Sequence, residues 1–72
     1  MTTEEKIAML EDIMDVDEGT LTLDSVLDDF EEWDSLSKLS LIVAAKNDFG
    51  LTLQSERIRD FKTVKDVCDY LA

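Results

Sequence analysis

Over the first fourteen residues the apolar side chains Ile7, Leu10, Ile13 and Met14 recur every three or four positions, the spacing of one face of an α-helix. Thr2 or Thr3 can cap its start, Thr2 and Glu5 stand at capping-box spacing, and the pattern stops near Asp15. A second, longer helix is predicted from Ser35 to Phe49. Asp34 is a good N-cap, the run contains neither Gly nor Pro, and Gly50 is a natural residue for the left-handed position after the last turn. A short third segment of one or two turns is predicted around Ser55 to Asp60. Thr63 caps a fourth, in which Val64, Val67, Cys68 and Leu71 fall at i, i+3, i+4 and i+7.

Between the first two helices lies a segment of about twenty residues, Asp15 to Asp34. Connections of that length in a compact domain are uncommon and are either functional or disordered. This one carries Val16, Leu21, Leu23, Val26, Leu27 and Phe30, enough apolar side chains to pin it to a core as an ordered loop. Thr22 or Asp24 can start a helical turn within it. On a helical wheel the second helix shows two apolar arcs rather than one. Leu41, Ile42, Ala45 and Phe49 cluster on one side, Leu36, Leu39 and Val43 on another. One arc faces the core; the other is either further core or an interaction surface.

Size and composition agree with this outline. A chain of 72 residues is one domain, 1–72, near the lower limit of what folds alone. Its single cysteine excludes an internal disulfide, while 44% hydrophobic content still permits a core. With no Pro, two Gly and few aromatics, the expected fold is all-α: a small four-helix bundle with a long acidic loop between helices 1 and 2.

Net charge is −11, and it is unevenly spread. Residues 1–34 hold thirteen acids and one Lys, whereas residues 35–72 hold five acids and six bases. Such a field repels nucleic acid and anionic lipid and attracts basic protein surfaces, so neither nucleic acid nor membrane is expected as a partner. The longest unbroken apolar run, Leu41 to Ala45, is far too short to span a bilayer. The lone Cys and the acidic start point to the reducing cytoplasm.

Most chemistries fail on the residues. Asp15-x-Asp17 begins like a calcium-binding EF-hand loop, but Thr20 and Val26 stand where Gly and Glu are required, and no metal site is expected. There is no His, so no Ser–His or Cys–His pair can be assembled, and there is no Gly-rich phosphate loop. Cys68 sits on the apolar stripe of the fourth helix and reads as a buried structural thiol. An enzyme is not expected. What remains is Trp33-Asp34-Ser35-Leu36. A serine after an N-cap is commonplace, yet a phosphate ester on Ser35 would meet the free N–H groups and positive dipole end of the long helix.

Asp34-Ser35-Leu36, opening a helix that closes on Phe49-Gly50, resembles the attachment motif of the acyl carrier protein family. The amphipathic first helix, the long acidic loop, the short third segment and the terminal helix beginning Thr63-Val64-x-Asp66-Val67 extend the resemblance over essentially the whole chain. It implies that Ser35 receives phosphopantetheine from coenzyme A through a separate phosphopantetheinyl transferase, with Asp34 as motif neighbour and N-cap. Acyl, aminoacyl or polyketide groups would ride on the arm as thioesters, and loading ligases, synthases or transferases would do the chemistry on a monomeric carrier. Leu36 and Val43 would face those partners. Two departures stand out. Glu31-Glu32-Trp33 replace the Leu-Gly pair usual in fatty acid synthesis, a form closer to discrete carriers of specialised pathways. The second helix has Ser37 and Ser40 where the family presents acids, and adds Lys38 and Lys46. The negative docking surface is therefore expected on the loop and the first helix, with Glu31 and Glu32 among its acids. The alternative from another class is an acidic helical module that binds proteins without a prosthetic group.

Overall fold

Helices form where caps and apolar spacing put them. In the computed structural model, which describes residues 2–71, α1 spans Thr3–Met14, α2 Ser35–Phe49, α3 Ser55–Ile58 and α4 Val64–Tyr70. Thr2 and Glu5 close the capping box of α1, and Asp15 ends it in the left-handed conformation (φ 58°). Gly50 ends α2 in the same way at φ 66°, where a side-chain-free residue carries no steric cost. The third helix stops two residues short of Asp60, because the amides of Asp60 and Phe61 bond back three residues, to Arg57 and Ile58, and tighten the chain into a turn. Among the described residues there is no strand, only an isolated bridge between Val26 and Thr63.

The core gathers one line from each helix. Leu10 and Met14 of α1, Leu41 and Ala45 of α2, Ile58 of α3, and Val64, Val67 and Cys68 of α4 are buried together. The loop adds Leu21, Leu27 and Trp33, so its apolar residues do pin it, with Val16, Leu23 and Phe30 half-buried against the same cluster. Val26 departs from expectation. It stays 42% exposed, because the loop there pairs through backbone rather than side chain. The Leu27 amide donates to the Lys62 carbonyl at 2.9 Å, and the Ser25 and Leu23 carbonyls accept from the amides of Val64 and Lys65 at 3.0 Å each. Those last two amides open α4 and have no partner inside it, so the loop supplies what the helix lacks. The helical turn in the loop begins at Leu27 rather than at Thr22 or Asp24: residues 22–25 close a tight turn, and a 3-10 turn follows over Leu27–Asp29.

One buried carboxylate organises the beginning of this loop. Glu11 is 4% exposed, and its Oε2 accepts from the amides of Gly19 at 2.9 Å and Leu21 at 3.0 Å. Gly19 turns with φ +88°, a conformation side chains resist, and so brings both amides to one oxygen.

The two arcs of α2 have different fates. Leu41 and Ala45 are fully buried, Ile42 and Phe49 are half-buried, and Leu36, Leu39 and Val43 are 71%, 56% and 52% exposed. Truncation should separate them in denaturant unfolding. Leu41→Ala is expected to cost roughly 2–5 kcal/mol, Ile42→Ala less, and Val43→Ala or Leu36→Ala under ~1 kcal/mol. Equal losses at all four positions would mean that the outer arc is core. Glu11→Ala should cost about 1–3 kcal/mol by leaving the buried Leu21 amide and the part-buried Gly19 amide without their acceptor, with Glu11→Gln recovering most of it through its remaining carbonyl oxygen. An unchanged midpoint in Glu11→Ala would show that the loop is held by something else.

Candidate functional site

Ser35 is the first residue of α2, and its side chain is exposed where the long loop meets the helix. Asp34 before it is extended (φ −107°, ψ −174°), which lets its Oδ1 turn back and accept from the Ser37 amide at 2.9 Å. That bond, more than any other influence, holds the Asp34 carboxyl below the ordinary aspartate value of 3.8. A charged acceptor at the start of the helix also matches the positive end of the helix dipole.

Ser37, expected on the outer face, is buried at 5% exposure. Its hydroxyl lies 2.5 Å from the carbonyl oxygen of Glu32 and 3.5 Å from that of Ile13. A hydroxyl has one proton to give, and the shorter contact receives it. The last stretch of the loop is therefore tied to the first turn of α2, with the end of α1 alongside. Ser37 shares its face of the helix with Leu41 and Ala45, at i, i+4 and i+8. Its burial also leaves Ser35 as the exposed hydroxyl of the first turn.

Lys38 is not on the outer face either. It is half-buried, with its Nζ 5.8 Å from the centroid of the Trp33 ring, and Trp33 itself is only 6% exposed. An ammonium at that distance from an indole face is attracted by the ring's quadrupole. Beside Ser35 an open groove of about 410 Å³ runs between α2 and α3. Leu39, Ile42 and Ile58 give it apolar walls, and Ser55, Lys38 and Arg59 give it polar ones.

The remaining expected residues fall into two groups. Leu36 borders a smaller cleft with Asp15, Glu32 and Asp34, so Glu32 and Leu36 share one neighbourhood beside Ser35. Val43 lies two turns further along α2, next to Leu39, Ser40 and Asn47 on the outer side. Glu31 is exposed in the turn before α2 and touches none of these clefts. Cys68 is buried, and burial pushes its thiol pKa up, with Lys6 partly opposing, so it is a packed side chain and not a nucleophile. Among the described residues no three acidic or thiol side chains are grouped to hold a metal ion.

Comparison with known proteins gives a consistent set of relatives. The family described as phosphopantetheine attachment site matches residues 7–71. The acyl carrier protein of Acidothermus cellulolyticus is 34% identical, the match covering 100% of this chain and 90% of that protein. That of Petrotoga mobilis is also 34% identical, over 85% of this chain and 72% of its own, and that of Renibacterium salmoninarum 31%, over 99% and 93%. No solved structure gives a significant match.

Two measurements test the junction. Ser37→Ala leaves the Glu32 carbonyl without its donor and should lower stability by about 1–3 kcal/mol; a neutral result in denaturant unfolding would remove the tie. The Asp34 charge has a definite pH signature. Its folded pKa is lowered, so its stabilisation is complete above the unfolded value and disappears as pH falls through the folded one. Asp34→Asn keeps a capping oxygen without the charge. Its melting temperature should lie below wild type by a constant margin at neutral pH, and the gap should close only below about pH 3.8. A gap that closes already near pH 6 would contradict the assignment.

Proposed function

This chain belongs to the phosphopantetheine-attachment family of carrier proteins, and on that premise we propose that Ser35 is the residue to which the arm is joined. The protein is an acyl carrier and not a catalyst. The covalently attached phosphopantetheine supplies a long arm ending in a thiol, on which acyl groups are held as thioesters. Its partners are a phosphopantetheinyl transferase and acyl-handling enzymes.

One observation carries the choice of Ser35. It is the exposed hydroxyl at the first position of a long capped helix, within the Asp34-Ser35-Leu36 motif. The site suits such a group: a phosphodiester there meets the positive end of the α2 dipole, and a groove of about 410 Å³ opens beside it. Asp34 serves as the cap that starts the helix at this serine rather than a turn later. A thiol such as Cys68, buried in the core, has no comparable access.

The finer reading concerns docking. We infer that partners approach the outer arc of α2, where Leu36 and Val43 are the apolar anchors, and that Glu31 and Glu32 contribute charge at its loop end. A group of exposed apolar side chains on one face marks an interaction surface, and Glu32 shares a cleft with Leu36. The loading enzyme would be a ligase, synthase or transferase specific for an acyl, aminoacyl or polyketide unit. The whole chain, 1–72, is taken as one carrier domain, its two end residues lying outside the described ones, and as a monomer of the cytoplasm. No helix of the described residues is long and apolar enough to cross a membrane.

Incubation with coenzyme A and a broad-specificity transferase should add one phosphopantetheine to the wild type, seen by intact mass, and none to a folded Ser35→Ala. Modification surviving in Ser35→Ala would move the site, and no modification of the wild type would favour a module without a prosthetic group. In the second test, Glu31→Lys with Glu32→Lys should slow transfer from a partner, and added salt should slow the wild type likewise. Rates that ignore both changes would place docking away from the loop.

A further inference from the structure

The seven cations of this chain are far outnumbered by its acids. Lys65 pairs with Asp69 at 2.7 Å, the single ion pair among the described residues, and the Arg57 guanidinium lies 5.3 Å from the Tyr70 ring centroid. Lys38 and Arg59 take part in neither, yet both line the groove that begins at Ser35. In a chain with eighteen acids and seven bases, two basic residues and no acid on one groove is a marked local reversal of charge.

Lys38 is also held in place. It follows Ser35 by three residues, hence about one turn along α2, where side chains at i and i+3 are neighbours. The Trp33 ring beneath its ammonium restricts a side chain that is otherwise flexible. Arg59 stands across the groove at the end of α3, on the residue that caps it. Between them the walls are apolar, formed by Leu39, Ile42 and Ile58. From Ser35 to Ile42 is seven residues, about 10 Å of helix. A groove of that length is cationic beside the attachment oxygen and apolar along its sides.

We propose that Lys38 and Arg59 form an anion clamp for the phosphodiester on Ser35, seating the first part of the arm against Leu39, Ile42 and Ile58. This rests on Ser35 being the attachment residue and adds to it a resting position for the arm, set by the groove beside it. Trp33 holds Lys38 ready before loading and gives it up to the phosphate afterwards. The stronger, charge-assisted contact replaces the weaker one. The distal part of the arm extends beyond the groove toward partners.

The test compares apo and holo forms, the latter made with coenzyme A and a broad-specificity transferase, for the wild type and for Lys38→Gln combined with Arg59→Gln. In the holo wild type the ³¹P resonance of the arm should be broader than in the holo double variant, the holo form should melt higher than the apo form, and Trp33 emission should shift on loading. The double variant, once loaded, should lose the broadening, the melting gain and the emission shift together. Raising salt toward 1 M, where the screening length falls to about 3 Å, should do the same to the wild type. A phosphate equally mobile in both holo proteins, or a holo wild type indifferent to salt, overturns the clamp while leaving attachment intact. A wild type that takes no arm at all overturns the attachment reading instead, and the clamp with it. Circular dichroism of the apo double variant fixes whether its fold is kept. If it is lost, the single variants Lys38→Gln and Arg59→Gln carry the same comparison.

Discussion

Every buried amide needs an acceptor, and a twenty-residue loop laid over a 72-residue domain brings more amides than the helices can serve. The constraint is met by a few side-chain oxygens and by loop-to-helix backbone pairs. Glu11 takes the amides of Gly19 and Leu21, and the Leu23 and Ser25 carbonyls take the opening amides of α4. Ser37 gives its proton to the Glu32 carbonyl, and Asp34 takes the Ser37 amide. With these in place Leu21, Leu27 and Trp33 can be buried, and the loop must end where α2 begins. The position of Ser35 follows from that closure rather than from any contact of its own.

A helix fixed in this way divides its surface by what lies on each side. The line Ser37–Leu41–Ala45 faces α1 and the loop and is buried. The line Leu36–Leu39–Val43 is more than half exposed although its residues are the more apolar set. An isolated small bundle gains nothing by leaving three such side chains more than half in water, where each forgoes part of the ~1.5–3 kcal/mol that full burial brings. In a protein whose cargo is worked on by other enzymes, that free energy stays available for transient contact. The same first turn carries both lines: Ser35 and Leu36 are exposed while Ser37 is buried, so the proposed attachment and docking residues share one helical turn.

How much of this the residues disclose depends on the range of the interaction. Caps and periodicity act over four residues, and the bounds of α1, α2 and α4 were legible from Thr2, Asp34, Gly50 and Thr63 alone. The Asp34-Ser35-Leu36 motif was legible for the same reason, as a local sequence at a helix start. Glu11 was not, because its partners lie eight and ten residues away in a loop whose path the sequence does not state. Thirteen acids in the first thirty-four residues look alike, and only the turn at Gly19 singles out one as buried. Ser37 and Lys38 misled in a related way. Both are polar residues on a helix and read as solvent-facing, yet one spans to a loop carbonyl and the other is drawn over Trp33. The residues that were missed are those whose partners come from the long loop.

The charge division along the chain works on two length scales. At physiological salt, screening sets in beyond about 8 Å, so a group bound to Ser35 responds to the side chains of its own turn and groove. Those include Lys38 and Arg59, besides the positive end of α2. A protein approaching from solution instead meets the summed field of the loop and α1, which is strongly negative. The same molecule can therefore attract basic partners and still present a cationic groove to a phosphate of its own. A uniform distribution of eighteen acids would not allow this, since the near and far fields would then carry one sign. Concentrating the acids before residue 35 and leaving the groove to bases separates the two.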